Sequence, residues 1–183
     1  MIRKLLRLSV AFAALAVMVL PASAQRDIRD IFRSGKREDV RKETERQEVM
    51  LTVEANRIRA KLRQMDREKD ETGRNPIYTW ETYRDGSEIK FIREREQRGK
   101  NLVATREYFF KRGKLFAFFE ERDESVPVFG RRDARKEKLE QRFFLDEDGR
   151  LVASHRTLNG RASTMSGSDV SYFTRRGLDF FKK

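Results

Sequence analysis

One segment of the sequence combines apolar and basic side chains in a way that suits anion binding. The apolar pair Val128 and Phe129 is followed by a run of basic residues, namely Arg131, Arg132, Arg135, Lys136 and Lys138. Guanidinium and ammonium groups bind phosphate and carboxylate oxygens through charge-assisted hydrogen bonds. We therefore predict an anion-binding loop between residues 126 and 138, with Val128 and Phe129 as apolar contacts. A solvated charged loop is the alternative.

Four other residues are of types that serve in hydrolysis. Glu120, Glu121 and Asp146 carry carboxylates, and His155 is the only histidine of the chain. Paired carboxylates a few ångströms apart hydrolyse glycosides, but no serine motif or second histidine accompanies His155 at a recognisable spacing. Residues 146–149 look like part of a calcium loop without its later ligands, so a hairpin turn is the stronger interpretation. The sequence favours binding over catalysis and indicates no metal and no cofactor.

Composition limits the protein further. The chain of 183 residues contains 42 Lys and Arg, 30 Asp and Glu and no Cys, and its formal net charge is +12. Disulfides, cysteine zinc sites and thiol nucleophiles are therefore excluded. Charged residues make up 39% of the chain, against about 25% in an average domain, which predicts a highly solvated surface or an extended charged segment.

Residues 1–24 have the pattern of a secretory signal peptide. Basic residues Arg3, Lys4 and Arg7 precede an apolar run over residues 8–20, and small residues follow up to Ala24. We expect cleavage near Ala24 and a periplasmic or secreted product with a net charge of +9. An uncleaved membrane anchor is the alternative, but the apolar run is shorter than the roughly 20 residues that span a bilayer.

The next segment, residues 25–75, has the composition of a charged helix. It contains no Pro before residue 76, and apolar residues recur every three or four positions at Leu51, Ala55, Ile58, Leu62 and Met65. This spacing predicts one long helix from about residue 36 to residue 70. A short strand over residues 49–53 is the local alternative.

Residues 76–183 are predicted to form a β-sheet domain. Six segments rich in aromatic and β-branched residues are separated mostly by tight turns, which is typical of an antiparallel meander. They cover residues 77–83, 88–95, 102–110, 115–122, 139–145 and 150–158. Residues 166–183 follow as a short helix or a seventh strand. The fold class is therefore α+β, a long N-terminal helix packed on about six antiparallel strands.

The central strands are apolar on both faces. Side chains alternate along a strand, so Tyr108 and Phe110 face away from Phe109, and Phe116 and Phe118 face away from Leu115 and Phe119. A sheet with one solvated face would have polar residues at every second position. We therefore expect both faces of this hairpin to be covered.

An internal repeat also lies in this region. Residues 106–115 form a strand, a Gly turn and a strand, and residues 141–151 repeat the order with a longer turn. In this motif the sequence resembles uncharacterised exported bacterial proteins with an aromatic strand followed by a Gly-Lys or Gly-Arg turn. The resemblance implies an exported protein with a small antiparallel sheet, and it carries no catalytic residues.

Together these features predict an exported, non-enzymatic binding protein of the cell envelope. The expected partner is a protein or an anionic envelope component such as a phospholipid head group or a glycan, with a second copy of the chain as a further candidate. Nucleic acid is disfavoured, because acidic residues are interspersed with the basic ones. The alternatives are a periplasmic chaperone-like holdase and, with less support, a carboxylate-based hydrolase.

Overall fold

The computed structural model describes residues 22–129 and 133–181. It confirms the α+β class, with a long N-terminal helix, an antiparallel sheet and a short C-terminal element that is a helix. The sheet has eight strands rather than about six. The elements are α1 Ala22–Lys61, β1 Asp66–Glu71, β2 Ile77–Asp85, β3 Glu88–Arg98, β4 Leu102–Lys111, β5 Lys114–Val126, β6 Arg135–Leu145, β7 Leu151–Leu158, β8 Arg161–Ser163 and α2 Gly167–Phe181. Most of the predicted signal peptide lies outside the described residues.

Helix α1 ends at Lys61, earlier than the predicted end near Asp70. The residues Asp66–Glu71, predicted as the end of this helix, form the edge strand β1, and all their side chains are exposed. Acidic and basic residues alternate in β1, so that Lys69 lies opposite Glu81 of β2. Cross-strand charge pairs stabilise such an edge, and its charged side chains discourage pairing with other chains. Sheet pairing therefore outweighs the helix propensity of these residues.

By internal contacts the chain separates into two units, Met1–Glu45 and Arg46–Lys183. In the first unit, the α1 side chains from Arg37 onward are almost all exposed. Ion pairs one turn apart, such as Lys42 with Glu38, lie along this surface. Each pair of this kind contributes only a few tenths of a kcal/mol, so this part of the helix carries a solvated, charged surface.

Every strand of the second unit pairs with its neighbours in sequence, in the order β1 to β8, which confirms the predicted meander. The two strands missing from the prediction are the edge strands, the charged β1 and the three-residue β8. The predicted long loop is shorter than expected, because β5 continues to Val126 and β6 begins at Arg135.

Both faces of the sheet bury apolar side chains, as expected. On one face, here the α1 face, Ala55 and Ile58 pack on the sheet residues Tyr83, Phe91, Phe109, Phe116, Ala117 and Phe144. On the other, the α2 face, Val170 and Phe173 pack on the sheet residues Ile89, Ile92, Tyr108, Phe110, Leu115, Phe118, Phe143 and Leu145. Each helix therefore covers one aromatic surface of a two-sided sheet.

One aromatic residue, Phe116, lies on the opposite face from the one that strict alternation predicts. It packs in the α1 cluster together with its neighbour Ala117. The register of β4 and β5 shifts at this point, since Phe109 pairs with Ala117 whereas Phe110 pairs with Leu115. Phe116 is thus the extra residue of a β-bulge. Leu115, just before the bulge, also lies on the other face than predicted, because it packs together with Phe118 in the α2 cluster.

Helix α2 begins with a reciprocal cap. The backbone amide of Asp169 donates to Ser166 Oγ over 3.1 Å, and the amide of Ser166 donates to Asp169 Oδ2 over 3.2 Å. This pattern satisfies amides that have no partner within the first turn. It explains why the segment forms a helix, although Gly177 lowers its helix propensity.

Candidate binding surface

The α2 face contains a cluster of buried charges. The guanidinium of Arg106 donates to Glu94 over 3.2 Å, to Glu96 over 2.9 Å and to Glu120 over 3.0 Å. All four residues are at most 8% exposed. Arg176 of α2 closes the cluster with a double contact to Glu94. These contacts pair every charge of the cluster with an opposite charge.

Burial and charge together shift the pKa values in this cluster. Burial alone lowers the pKa of Arg106, but the carboxylates of Glu120 and Glu94 raise it well above its ordinary value. Burial tends to raise the pKa of Glu96, and the hydrogen bond and charge of Arg106 lower it overall. Burial also raises the pKa of Tyr108, whose hydroxyl donates to Glu94 over 3.1 Å. The paired, buried cluster acts as a structural network that anchors α2.

The α1 face is open beside the helix. A polar cleft of about 440 Å³ is lined by residues of α1 and of β4 to β7. On its wall, Arg59 Nε donates to Glu107 over 2.9 Å, and the guanidinium lies 4.3 Å over the ring of Phe119. Further along, His155 Nε2 is 2.8 Å from Glu48 Oε1. Most charges of this cleft already have partners within the chain.

A second depression, the turn groove, lies on the other side of α1. It has a volume of about 230 Å³, and its floor includes Leu51, Leu115 and Phe116. Its rim includes the β4–β5 turn, which supplies the three cations Lys111, Arg112 and Lys114. Lys114 Nζ donates to the backbone oxygen of Glu147 over 2.8 Å. The lining also includes Glu54, Asp146 and Glu147, so the groove combines apolar residues with charges of both signs, and its cations lie together on one turn.

The turn itself has an unfavourable residue. Arg112 has a φ of 51° and Gly113 a φ of 74°. A two-residue hairpin turn with both central residues at positive φ prefers Asn-Gly. Most side chains crowd the backbone in this conformation, at roughly 1–2 kcal/mol per residue. An arginine at position 112 is therefore less favourable for the turn than an asparagine would be.

An apolar strip of three exposed residues lies on α1, and one of them lines the turn groove. Val49, Met50 and Val53 are 62%, 70% and 61% exposed. The spacing of the two valines places them one turn apart on the same side of the helix, and Met50 also lines the groove. Single exposed apolar residues are ordinary, whereas a contiguous group beside a groove indicates an interaction surface.

The α2 side has a depression too. It is open, has a volume of about 550 Å³, and lies between α2 and the residues around Leu145 and Leu151. Its lining includes Arg175 as a basic residue. The β4–β5 turn with its three cations does not line this depression. Its charge is therefore less complementary to an anionic partner than that of the turn groove.

The predicted anion-binding residues do not form one free basic patch in the described part of the chain. Arg131 and Arg132 lie outside the described residues. Arg135 pairs with Glu137, and Lys138 Nζ lies 2.6 Å from Glu140, which raises the pKa of Lys138. These four residues belong to strand β6 rather than to a loop.

The remaining residues of that prediction are accessible. Lys136 is exposed and has no ion pair within the described residues. Val128 is half-buried, and Phe129 at the tip of the connection is fully exposed. Acidic residues lie beside this hairpin, with Asp123 opposite Lys138, and they offset its basic character.

Three of the four residues of the hydrolase alternative, Glu120, Glu121 and His155, line the polar cleft, and Asp146 does not. Glu121 is exposed, whereas the carboxylate of Glu120 is buried and already paired with Arg106. Asp146 accepts hydrogen bonds from two backbone amides of its own turn, which agrees with the hairpin interpretation. His155 contacts Glu48 of α1.

Sequence reasoning identified the turn at residues 111–114 but missed it as a candidate site. The sequence contained a signal. Arg112-Gly113 of the β4–β5 turn corresponds to Asn159-Gly160 of the β7–β8 turn, and asparagine rather than arginine is the favoured residue at the first position. The contact with α1 was not visible, because it depends on how the helix crosses the sheet.

Comparison of the chain with protein-family models, with curated proteins and with solved structures finds no match. Within residues 22–129 and 133–181, no helix combines the length and the apolar character needed to cross a membrane. The function must therefore be inferred from the surfaces described above.

Proposed function

We propose that this protein is an exported binding protein that holds a partner of the cell envelope on its α1 face, at the apolar strip and the turn groove. One observation carries the proposal: three apolar side chains of α1 are more than 60% exposed, and one of them, Met50, lines a groove that also contains the three cations of the β4–β5 turn. Exposed apolar surface with a charged rim is typical of binding sites.

The export part of the proposal rests on the sequence of residues 1–24. The expected partner is a protein or an anionic envelope component, because the cations of the turn attract negative charge and the strip contributes apolar contacts. N-terminal sequencing of the protein recovered from the envelope fraction tests the export step. A product that begins near Gln25 supports it, and an intact Met1 contradicts it.

Site-specific photocrosslinking tests the binding surface. A photoreactive amino acid at position 50 is compared with the same amino acid at position 172, because Tyr172 of α2 is similarly exposed, at 57%. We expect adducts from position 50 and few from position 172 in intact cells. The double variant Met50→Ser with Val53→Ser should weaken retention of the partner. Equal adducts at both positions, or none at either, would contradict the proposed site.

The apolar strip also favours a second function, that of a holdase for unfolded envelope proteins. A holdase binds the exposed apolar segments of many clients, whereas a binding protein of the proposed kind recognises one anionic partner. An aggregation assay with an unfolded client separates the two. Suppression of aggregation that is lost in Met50→Ser with Val53→Ser, without salt sensitivity, would favour the holdase.

A further inference from the structure

Two turns of the sheet have the same backbone conformation and different residues. In the β7–β8 turn, Asn159 and Gly160 have φ values of 52° and 76°; in the β4–β5 turn, Arg112 and Gly113 have φ values of 51° and 74°. The first uses the favoured Asn-Gly pair. The second places an arginine where the backbone disfavours it, next to the turn groove.

The β4–β5 turn is held in place by a neighbouring strand. The backbone amide of Arg112 donates to Glu88 Oε1 over 2.5 Å, and Lys90 Nζ donates to Glu88 Oε2 over 2.8 Å. These contacts fix the turn without using the side chain of Arg112. The charges of Lys111 and Arg112 form no ion pair with the described residues, and both side chains are exposed.

A residue kept in a strained conformation with a free functional group is a sign of function. A guanidinium can form two parallel hydrogen bonds with a phosphate or carboxylate group, and an ammonium on either side adds charge. Lys111 and Lys114 supply those ammonium groups. The turn is therefore organised to receive an anion.

We propose that the turn binds the anionic head groups of a phospholipid bilayer, while the apolar strip enters the boundary between head groups and acyl chains. This inference rests on the proposed function, because it names the partner of the same surface. The protein thus lies on a membrane surface that is rich in acidic lipid.

A bilayer fits this surface better than an acidic peptide does. All three residues of the strip are more than 60% exposed, and Val49 and Val53 are not among the residues that line the groove. A peptide that fills the groove would therefore leave part of this strip in water. Apolar residues beside basic ones allow a surface to bind the interface of an anionic membrane, and the exposed strip lies outside the residues of α1 that pack on the sheet. The attraction to anionic lipid falls with ionic strength.

The test is vesicle binding by the full protein as purified, with all variants sharing the same N-terminus. Vesicles of phosphatidylglycerol are compared with vesicles of phosphatidylcholine alone. Arg112→Asn removes the charge and restores the favoured Asn-Gly turn, so its thermal midpoint should equal or exceed that of the wild type. Its partitioning onto phosphatidylglycerol vesicles should fall about five-fold, the factor that corresponds to about 1 kcal/mol per basic residue at an anionic surface.

Lys136→Asn is the matched control, because it removes the same charge from the exposed β6 residue of the other candidate site. We expect less than a two-fold change for this variant. Equal losses for the two variants, or no loss for Arg112→Asn, would overturn the inference. If phosphatidylglycerol vesicles do not bind while position 50 still crosslinks one envelope protein, the lipid inference fails and the proposed function survives.

Discussion

The two faces of the sheet are covered by helices in different ways. On the α2 face, Arg106 and three carboxylates are buried and paired, and α2 is attached to them through Arg176. On the α1 face, Ala55 and Ile58 pack on the sheet, but a polar cleft and the turn groove remain open on either side of the helix. Buried charges attach the helix on the α2 face, although an open depression of about 550 Å³ lies beside α2, and the α1 face presents charges and apolar groups to solvent.

Because the two faces differ in this way, residues that stabilise the fold and residues available for binding lie on different faces. A buried ion needs its partner, because an isolated charge in a low-dielectric interior is strongly destabilising. An exposed cation such as that of Arg112 has no such requirement. We therefore assign a structural role to the α2 face and the binding role to the α1 face. Substitutions on the α2 face should therefore lower the free energy of unfolding, and substitutions on the α1 face should weaken binding.

The largest effect is expected for Arg106→Met. The substitution leaves Glu94, Glu96 and Glu120 without their shared guanidinium, and removing one partner of a buried pair lowers the free energy of unfolding by about 3–5 kcal/mol. Urea unfolding followed by circular dichroism measures the change.

Arg59→Met is the matched control on the α1 face. Its partner Glu107 keeps a second contact, from Arg93, and the Arg59 side chain is 33% exposed. Partly exposed pairs contribute at most about 1 kcal/mol. Comparable losses for Arg106→Met and Arg59→Met would mean that the two faces do not differ as described.

A smaller loss is expected for Gly177→Ala. An added Cβ at this position of α2 would lie 2.8 Å from Cδ1 of Tyr108, and Tyr108 is held by its hydrogen bond to Glu94. Overpacking of this kind destabilises by about 1–3 kcal/mol, which exceeds the gain of about 1 kcal/mol in helix propensity. A lower thermal midpoint is expected. Gly73→Ala meets no atom within 4 Å and serves as the control, so an unchanged or higher midpoint for Gly177→Ala would refute the close fit.

The buried carboxylates of the α2 face should also make the stability of the protein depend on pH. The pKa of Glu96 lies below its ordinary value of 4.5, mainly because Arg106 opposes the effect of burial. A carboxylate with a lowered pKa stabilises the fold fully above the pKa of the unfolded state, and this contribution is lost as the pH falls through the pKa of the folded state. The thermal midpoint should therefore fall more steeply with acid in the wild type than in Glu96→Gln. Parallel curves would contradict the prediction.

The smallest effect on stability is expected on the α1 face. Met50→Ser with Val53→Ser removes apolar groups that are already 70% and 61% exposed, so the free energy of unfolding should change by less than about 0.5 kcal/mol. The same variant should lose vesicle binding. A loss of several kcal/mol in urea unfolding would show that the strip is part of the core.

Much of this architecture was predictable from local patterns. The alternation around Tyr108 and Phe109 indicated a sheet that is apolar on both faces, and the turn residues indicated the meander. The charged strand β1 was not predictable, because Asp66–Glu71 have the composition of a helix and form a strand only through pairing with β2. The face of Phe116 depends on a β-bulge, which alternation does not reveal.

The candidate site was less predictable than the fold. The basic residues at 135–138 follow one another closely in the sequence and were therefore predicted to bind an anion. Ion pairs along β6 neutralise most of them, because Arg135 pairs with Glu137 and Lys138 with Glu140. The three cations of the β4–β5 turn are fewer, yet the fold brings them beside Met50 and Leu51 of α1. Contacts between distant segments decide which charges remain free, and a single sequence does not show those contacts.

We propose that the α1 face binds the partner and that the α2 face supports the fold. Amide hydrogen exchange of the whole protein, with and without phosphatidylglycerol vesicles, tests it most directly because it reports on both helices in one experiment. We predict slower exchange at residues 46–55 and 110–116 when vesicles are present, and unchanged exchange at residues 167–181. Protection confined to α2, or to the hairpin around Phe129, would contradict the assignment of the two faces.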